Sequence, residues 1–339
     1  MILRRGNFNL YGLVITLPYL TLILLLACYF IDRKGGIDSL AGIEREPHPK
    51  MDFGDGDNRN YDKRQNYYGN VTTEPVELNV SSRFVLSGVK KMEKEQGWHF
   101  SKSALSGWKI LETQRFIIQS DAIKQNTLTV GFYLETFSEL LCQFLTTHKD
   151  IEKRKVRYFK SERKFREFAK VKSIPTATAF YDPEEKEIVI CDVGNVTDST
   201  FISGIFHEAT HQSLDEHFTK ILPLWFSEGL AEYFSTAKFE DGGNYGLKVG
   251  GSIQTHIKTL KDAITDRRAI PLKRLLKMDR NGFYGDDAKL AYAESWSLVS
   301  FIIEKMVTSN SQWIDEVLNG GLELEGLEDE WLEYVYKLN

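Results

Sequence analysis

His207-Glu208-Ala209-Thr210-His211 places two imidazoles four residues apart, with a carboxylate beside the first. Four residues of α-helix turn the direction of view by only about 40°, so both rings leave one face and can share a metal ion. This HExxH spacing is a zinc-hydrolase signature. Zinc takes two neutral histidines and a third protein donor and keeps a fourth position for water, whose acidity it raises enough to supply hydroxide near neutral pH. Glu208 is then the base. Asp198-Ser199-Thr200 supplies an N-cap, and Phe201, Ile202, Ile205, Phe206 and Ala209 recur at helical spacing, so the motif is expected on a helix with a buried face.

Two residues compete for the third position. His217 stands ten residues after His207, the spacing of HExxHxxGxxH, in which a glycine breaks the helix and swings the last histidine onto the metal. Leu214 occupies the glycine position here, and a leucine resists the left-handed turn that glycine takes freely. His217 therefore reads as a surface or helix-end residue. The other candidate lies in the segment from Leu222 to Ser235, where Pro223 suits a first helical turn and apolar residues cover much of the circumference. Glu228 and Glu232 share one face of it. A buried carboxylate pair is costly without a cation or a histidine partner. Glu228 is thus assigned as third ligand, and Glu232 as the acceptor that holds a ligand histidine by its other ring nitrogen.

HExxH followed by Glu228 in Ser-Glu-Gly-Leu-Ala resembles the gluzincins, the thermolysin-like and aminopeptidase-N-like zinc metallopeptidases. The fuller string, HEATH, then LPLWFSEGLAEYF, then Leu290-Ala291-Tyr292-Ala293-Glu294-Ser295-Trp296, is similar to a family of uncharacterised bacterial peptidase-like proteins of that superfamily, over roughly residues 110 to 337. Ser227 stands where aminopeptidases carry Asn, and the Gly-x-Met-Glu-Asn exopeptidase motif is absent. The resemblance implies a zincin-like domain that hydrolyses peptide bonds, with zinc on His207, His211 and Glu228 and Glu208 as general base. It also implies a tyrosine or histidine donor for the developing oxyanion. Tyr292 is the choice, because related sequences carry a tyrosine there; Tyr284, Tyr245 and His256 stay open as alternatives. In gluzincins a sheet edge beside the zinc helix aligns the substrate as an added strand, and 187 to 191 is the segment expected to do so.

The elements that position these groups read as an α+β order. Arg115 to Ser120 is expected as a strand, Ala122 to Leu145 as a long amphipathic helix, and Val156 to Phe159 as a second strand before a short helix through Phe165 and Phe168. Ala177 to Tyr181 and Glu187 to Cys191 should pair as a hairpin around Asp182-Pro183-Glu184-Glu185. Strands precede the HExxH helix and helices follow it. The expected architecture is a small mixed sheet packed on that helix with a helical C-terminal half, preceded by one N-terminal transmembrane helix.

Composition fits one sizeable soluble domain: hydrophobic residues make up 42%, charged residues 27%, and a net charge of −5 offers no nucleic-acid footprint. Nucleic acid is dropped as a partner. Cys28, Cys142 and Cys191 form neither a CxxC pair nor a disulfide framework. After a short flank, 1–9, the 22 residues from Leu10 to Ile31 carry no charge. As a helix they would span about 33 Å, enough to cross a bilayer. Arg4 and Arg5 before the segment nearly balance Arg33 and Lys34 after it. It reads as a signal anchor for a single-pass membrane protein whose catalytic domain is extracytoplasmic; a cleaved signal peptide, or a lipoprotein at Cys28, is the alternative. Residues 32–80 are polar and glycine-punctuated and read as a flexible linker. Asp52, Asp55 and Asp57 lie near Gly54 and Gly56, but Arg59 takes a ligand position and no glutamate closes a calcium loop. The globular domain is expected over 81–339.

The sequence thus points to a membrane-anchored zinc metallopeptidase acting on a peptide or protein. The rival from another class is a non-catalytic zinc-containing envelope protein that binds a partner through its cleft. An intact Glu208 favours the enzyme, since a purely structural site needs no base beside an open position.

Overall fold

The computed structural model describes residues 82–145, 152–172, 178–218, 221–239, 245–308 and 324–339. The expected anchor over 10–31, its flank and the 32–80 linker lie outside these residues. No described helix is long and apolar enough to cross a membrane.

The chain is α+β with a mixed six-stranded sheet. Helix α1 (Ser82–Gln96) precedes a meander of β1 (His99–Lys102), β2 (Lys109–Glu112) and β3 (Phe116–Ser120). Helix α2 (Lys124–Leu145) crosses over to β4 (Arg154–Phe159), which lies parallel to β3, with Ile118 beside Val156. After α3 (Glu162–Val171), β5 (Ala179–Asp182) and β6 (Glu187–Cys191) form the expected hairpin, with Tyr181 opposite Ile188. The strand order is β1-β2-β3-β4-β6-β5, so β6 pairs in parallel with β4 on one side and antiparallel with β5 on the other.

This order corrects one expectation. Segment 187–191 is an interior strand with both ladders occupied, and the sheet edge beside the HExxH helix is β5. The physical reason is visible in the residues: every position of Glu187–Cys191 is buried, the pattern of a strand covered on both faces. An interior strand has no unpaired backbone edge to offer an added strand.

Alternation along the strands divides two cores. Val156, Tyr158, Ile188 and Ile190 face the main core shared with α2 and the HExxH helix, whereas Phe159, Phe180, Val189 and Cys191 face Phe165 and Ala169 of α3. The HExxH motif lies on α4 (Ser199–His217), and its main-core face is the expected one: Phe206 stacks on Phe137 of α2 with ring centroids 4.2 Å apart. Gln212, the residue after His211, donates to the carbonyls of Lys155 and Lys186, tying α4 to β4 and to the hairpin turn. The turn itself is locked by Asp182 Oδ1, which accepts from the N–H groups of Glu184 and Glu185.

Among the described residues the C-terminal half is helical apart from a ribbon with two residues in each strand, β7 (Lys238–Phe239) with β8 (Leu247–Lys248). Helix α5 (Leu224–Ser235) packs on α4, and α6 (Gln254–Thr265), the short α7 (Leu272–Leu275) and α8 (Arg280–Phe283) lead to α9 (Ala288–Thr308), which lies along α5. Helix α10 (Leu324–Lys337) closes against α9, where Trp331 Nε1 donates to Ser297 Oγ.

Candidate metal centre

Helix α4 begins where the sequence placed its cap. Asp198 Oδ1 accepts from the N–H groups of Thr200 and Phe201 at 2.9 and 3.1 Å, satisfying two donors of the first turn. The helix then runs unbroken to His217, so Leu214 points into the core and His217, at the last turn, packs its ring on Phe218. The unbroken helix keeps His217 out of the donor group formed by His207, His211 and Glu228.

Helix α5 brings Glu228 to the two histidines because Gly229 lets α9 approach closely on its other side. A Cβ at Gly229 would lie 2.5 Å from the Ser295 carbonyl oxygen and 2.7 Å from Val299 Cγ2, so only glycine permits this crossing. The result is a compact donor set. His207 Nε2 lies 3.1 Å from His211 Nε2, Glu228 Oε2 lies 3.3 Å from His211 Nε2, and Glu228 Oε2 lies 3.5 Å from His207 Nε2. Donors at about 2.0–2.1 Å from a tetrahedral ion stand about 3.3–3.4 Å from one another, so these residues fit a metal. Their chemistry agrees, because two imidazole nitrogens and a carboxylate oxygen converge on one point and a cation offers a partner to all three lone pairs.

Each donor is braced from behind by a different group. Glu232, one turn after Glu228, presents Oε1 at 3.4 Å to His207 Nδ1, and its Oε2 lies 3.1 Å from His256 Nε2 of α6. His211 Nδ1 lies 3.2 Å from Ser227 Oγ, the residue directly before Glu228. Tyr284, just past α8, donates its hydroxyl to Glu228 Oε1 at 2.5 Å, which leaves Oε2 directed at the histidines.

Three carboxylates surround His207. Burial pulls its pKa down, but the hydrogen bond to Glu228 and the charges of Glu232, Glu208 and Glu228 outweigh that, and the net shift is upward. In chemical terms the pocket is built to hold positive charge.

Glu208 is not part of the donor set. Its Oε2 accepts from the backbone N–H of Tyr181 on edge strand β5 at 2.8 Å. One oxygen of the carboxylate is therefore held at the sheet edge, next to the candidate donors on the same helix.

Among the aromatic and histidine candidates for a donor near the site, the structure brings Tyr284 to a ligand. Tyr292 lies behind it on α9, fully buried, with its ring 5.3 Å from Phe283 and 6.3 Å from Tyr284. Tyr245 stands elsewhere, donating to Ser87 of α1, and His256 faces Glu232. The bracing roles of Ser227, Tyr284 and His256 were not read from the sequence. For Ser227 a signal existed, since a hydroxyl directly before the ligand glutamate shares the turn that approaches His211.

A family model described as a protein of unknown function (DUF1570) matches residues 201–318, the stretch that carries the HExxH helix, Glu228 and α9. No curated protein and no solved structure matches the chain.

Proposed function

We propose that the protein is a zinc-dependent peptidase of gluzincin type, anchored in a membrane by its N-terminal segment with the catalytic domain on the extracytoplasmic side. The observation that carries this reading is the pairing of a three-donor set, His207, His211 and Glu228, with a carboxylate one residue along that is held outside it. Zinc suits two imidazoles and a carboxylate, and when bound it supplies a Lewis acid that polarises a carbonyl and makes water a better nucleophile.

The chain's own residues do the rest. Glu208 takes a proton from the attacking water and later delivers it to the leaving amine nitrogen, so one carboxylate serves both steps. The Tyr181 N–H holds that carboxylate in place beforehand. Tyr284, whose one hydroxyl hydrogen rests on Glu228 Oε1 and would have to turn from it, is the donor assigned to the developing oxyanion, with Tyr292 as the alternative. Glu232 and Ser227 hold the two imidazoles by their Nδ1 atoms. The α+β order, with a sheet edge next to the HExxH helix, supports a zincin-like domain.

A second reading, a zinc-holding envelope protein without activity, draws on one observation: the side chains of His207, His211 and Glu228 are only 2, 10 and 2% exposed. Glu208→Gln separates the two. It should keep zinc content and thermal stability while lowering turnover of a broad peptide library by about 10²–10⁴-fold. A zinc-loaded wild type that cleaves nothing, or a Glu208→Gln variant that cleaves equally well, would leave the non-catalytic reading standing.

A further inference from the structure

We propose that His256 is a positioning residue for the metal centre, acting through Glu232 on His207; the inference rests on the metal-site reading above. Three helices supply the chain of contacts. His256 Nε2 on α6 meets Glu232 Oε2 on α5 at 3.1 Å, and Glu232 Oε1 meets His207 Nδ1 on α4 at 3.4 Å. His256, Glu232 and His207 are 4, 6 and 2% exposed, so the arrangement is sealed from bulk water. The His256 ring is seated near Trp296 of α9, 5.7 Å between ring centroids.

A carboxylate only accepts, so each of its neighbours here donates. His256 Nε2 carries a hydrogen toward Oε2, and His207 Nδ1 carries one toward Oε1. That second hydrogen fixes the His207 tautomer and leaves the Nε2 lone pair facing His211 and Glu228, the form a metal requires. The glutamate side chain turns readily about its last torsion, which is broad. With His256 donating to one oxygen, the carboxylate plane is set and the other oxygen stays aimed at His207. Removing His256 takes away a donor that sets the plane of this buried carboxylate.

The test measures metal binding by the purified full-length chain, independently of any hydrolysis. Zinc affinity is read by competition with a chromophoric chelator, and geometry by the visible spectrum of the cobalt(II)-loaded protein. His256→Leu should weaken zinc by about 10-fold, the lower end for a partner outside the ligand set, and should shift the cobalt bands. His256→Gln, whose amide N–H reaches the same oxygen, should restore both to near wild type. In a Glu232→Gln background His256→Leu should change nothing further, because the path is already cut. Wild-type affinity and spectrum in His256→Leu would overturn the proposal alone; an equal loss in both backgrounds would assign the effect to packing and overturn it too. If His256→Leu does not fold, His256→Gln is compared with His256→Asn, which is too short to reach Glu232, and equal affinities would refute it. A wild-type chain that binds no zinc would overturn the metal-site reading as well.

Discussion

Tyr181 and Glu208 are bound backbone to side chain, the N–H of the edge strand donating to the carboxylate of the HExxH helix at 2.8 Å. The same tyrosine also reaches α4 about two turns later, through its hydroxyl and Asp215 Oδ2 at 2.8 Å. Strand β5 is therefore clamped to the helix at two points. The clamp engages one Glu208 oxygen, and under the proposed function metal retention and proton transfer can be removed one at a time.

Metal content should divide the two candidate third ligands. Glu228→Ala removes a donor whose oxygen sits 3.3 and 3.5 Å from the two histidine nitrogens and should weaken zinc by 100-fold or more, roughly the upper end for outer partners. His217→Ala should retain stoichiometric zinc. Elemental analysis of both variants, on protein of equal purity, decides; the reverse pattern would replace the assignment with a modified HExxHxxGxxH site.

The two tyrosines near the site should respond differently. Tyr284→Phe deletes the hydroxyl that rests on Glu228 and is proposed to turn from it to the oxyanion, so it is expected to lower kcat by about 10²-fold with a smaller effect on KM. Tyr292→Phe should change turnover far less. Steady-state kinetics on one peptide substrate checks both, and a dominant loss in Tyr292→Phe would return the role to the residue favoured by the sequence.

Gly229→Ala should be destabilising by about 1–3 kcal/mol, since the added methyl meets the Ser295 carbonyl and Val299 at distances that no packed Cβ tolerates. Urea unfolding monitored by circular dichroism gives the shift. A neutral result would mean that α5 and α9 can separate without cost.

Glu294 supplies a pH signature remote from the metal. Its carboxyl is fully buried and accepts from the Ile270 N–H through Oε1, while Oε2 has no hydrogen-bond partner among the described residues. Burial pushes its pKa up to about 8, partly offset by the Ile270 hydrogen bond. The folded chain thus binds this proton more tightly than the unfolded chain does. The stabilisation is complete below the ordinary carboxyl range near pH 4.5 and is lost as pH rises to about 8, with a slope of up to about 1.4 kcal/mol per pH unit between them. Glu294→Gln should flatten that slope in urea titrations at several pH values and gain relative stability above pH 8. An unchanged slope would show that other groups set it.

Much of this site was legible because its signals are local. Asp198 caps α4 at the position where side-chain oxygens favour helix starts, and two glutamates on an apolar helix demand a cation or a histidine; both inferences need only neighbouring residues. The hairpin was readable from its turn chemistry. What escaped depends on distant packing. That the Tyr284 hydroxyl meets Glu228 is set by how the four-residue α8 sits on α5, which no periodicity encodes. Strands β1 and β2 are short and largely exposed or half-exposed, so neither alternation nor an apolar run marks them. The misplaced sheet edge is different in kind, since the apolar run of 187–191 already carried the interior signature.

Gly229 has a consequence for the order in which the molecule matures. All three candidate donors have been synthesised once the chain reaches Glu228, yet the helix carrying Glu228 is held against α9, whose contact residues Ser295 and Val299 follow later. A nascent chain therefore carries the ligands before it owns the site. Closure of the donor set waits on the docking of α9, and a truncated product ending before α9 should lack it.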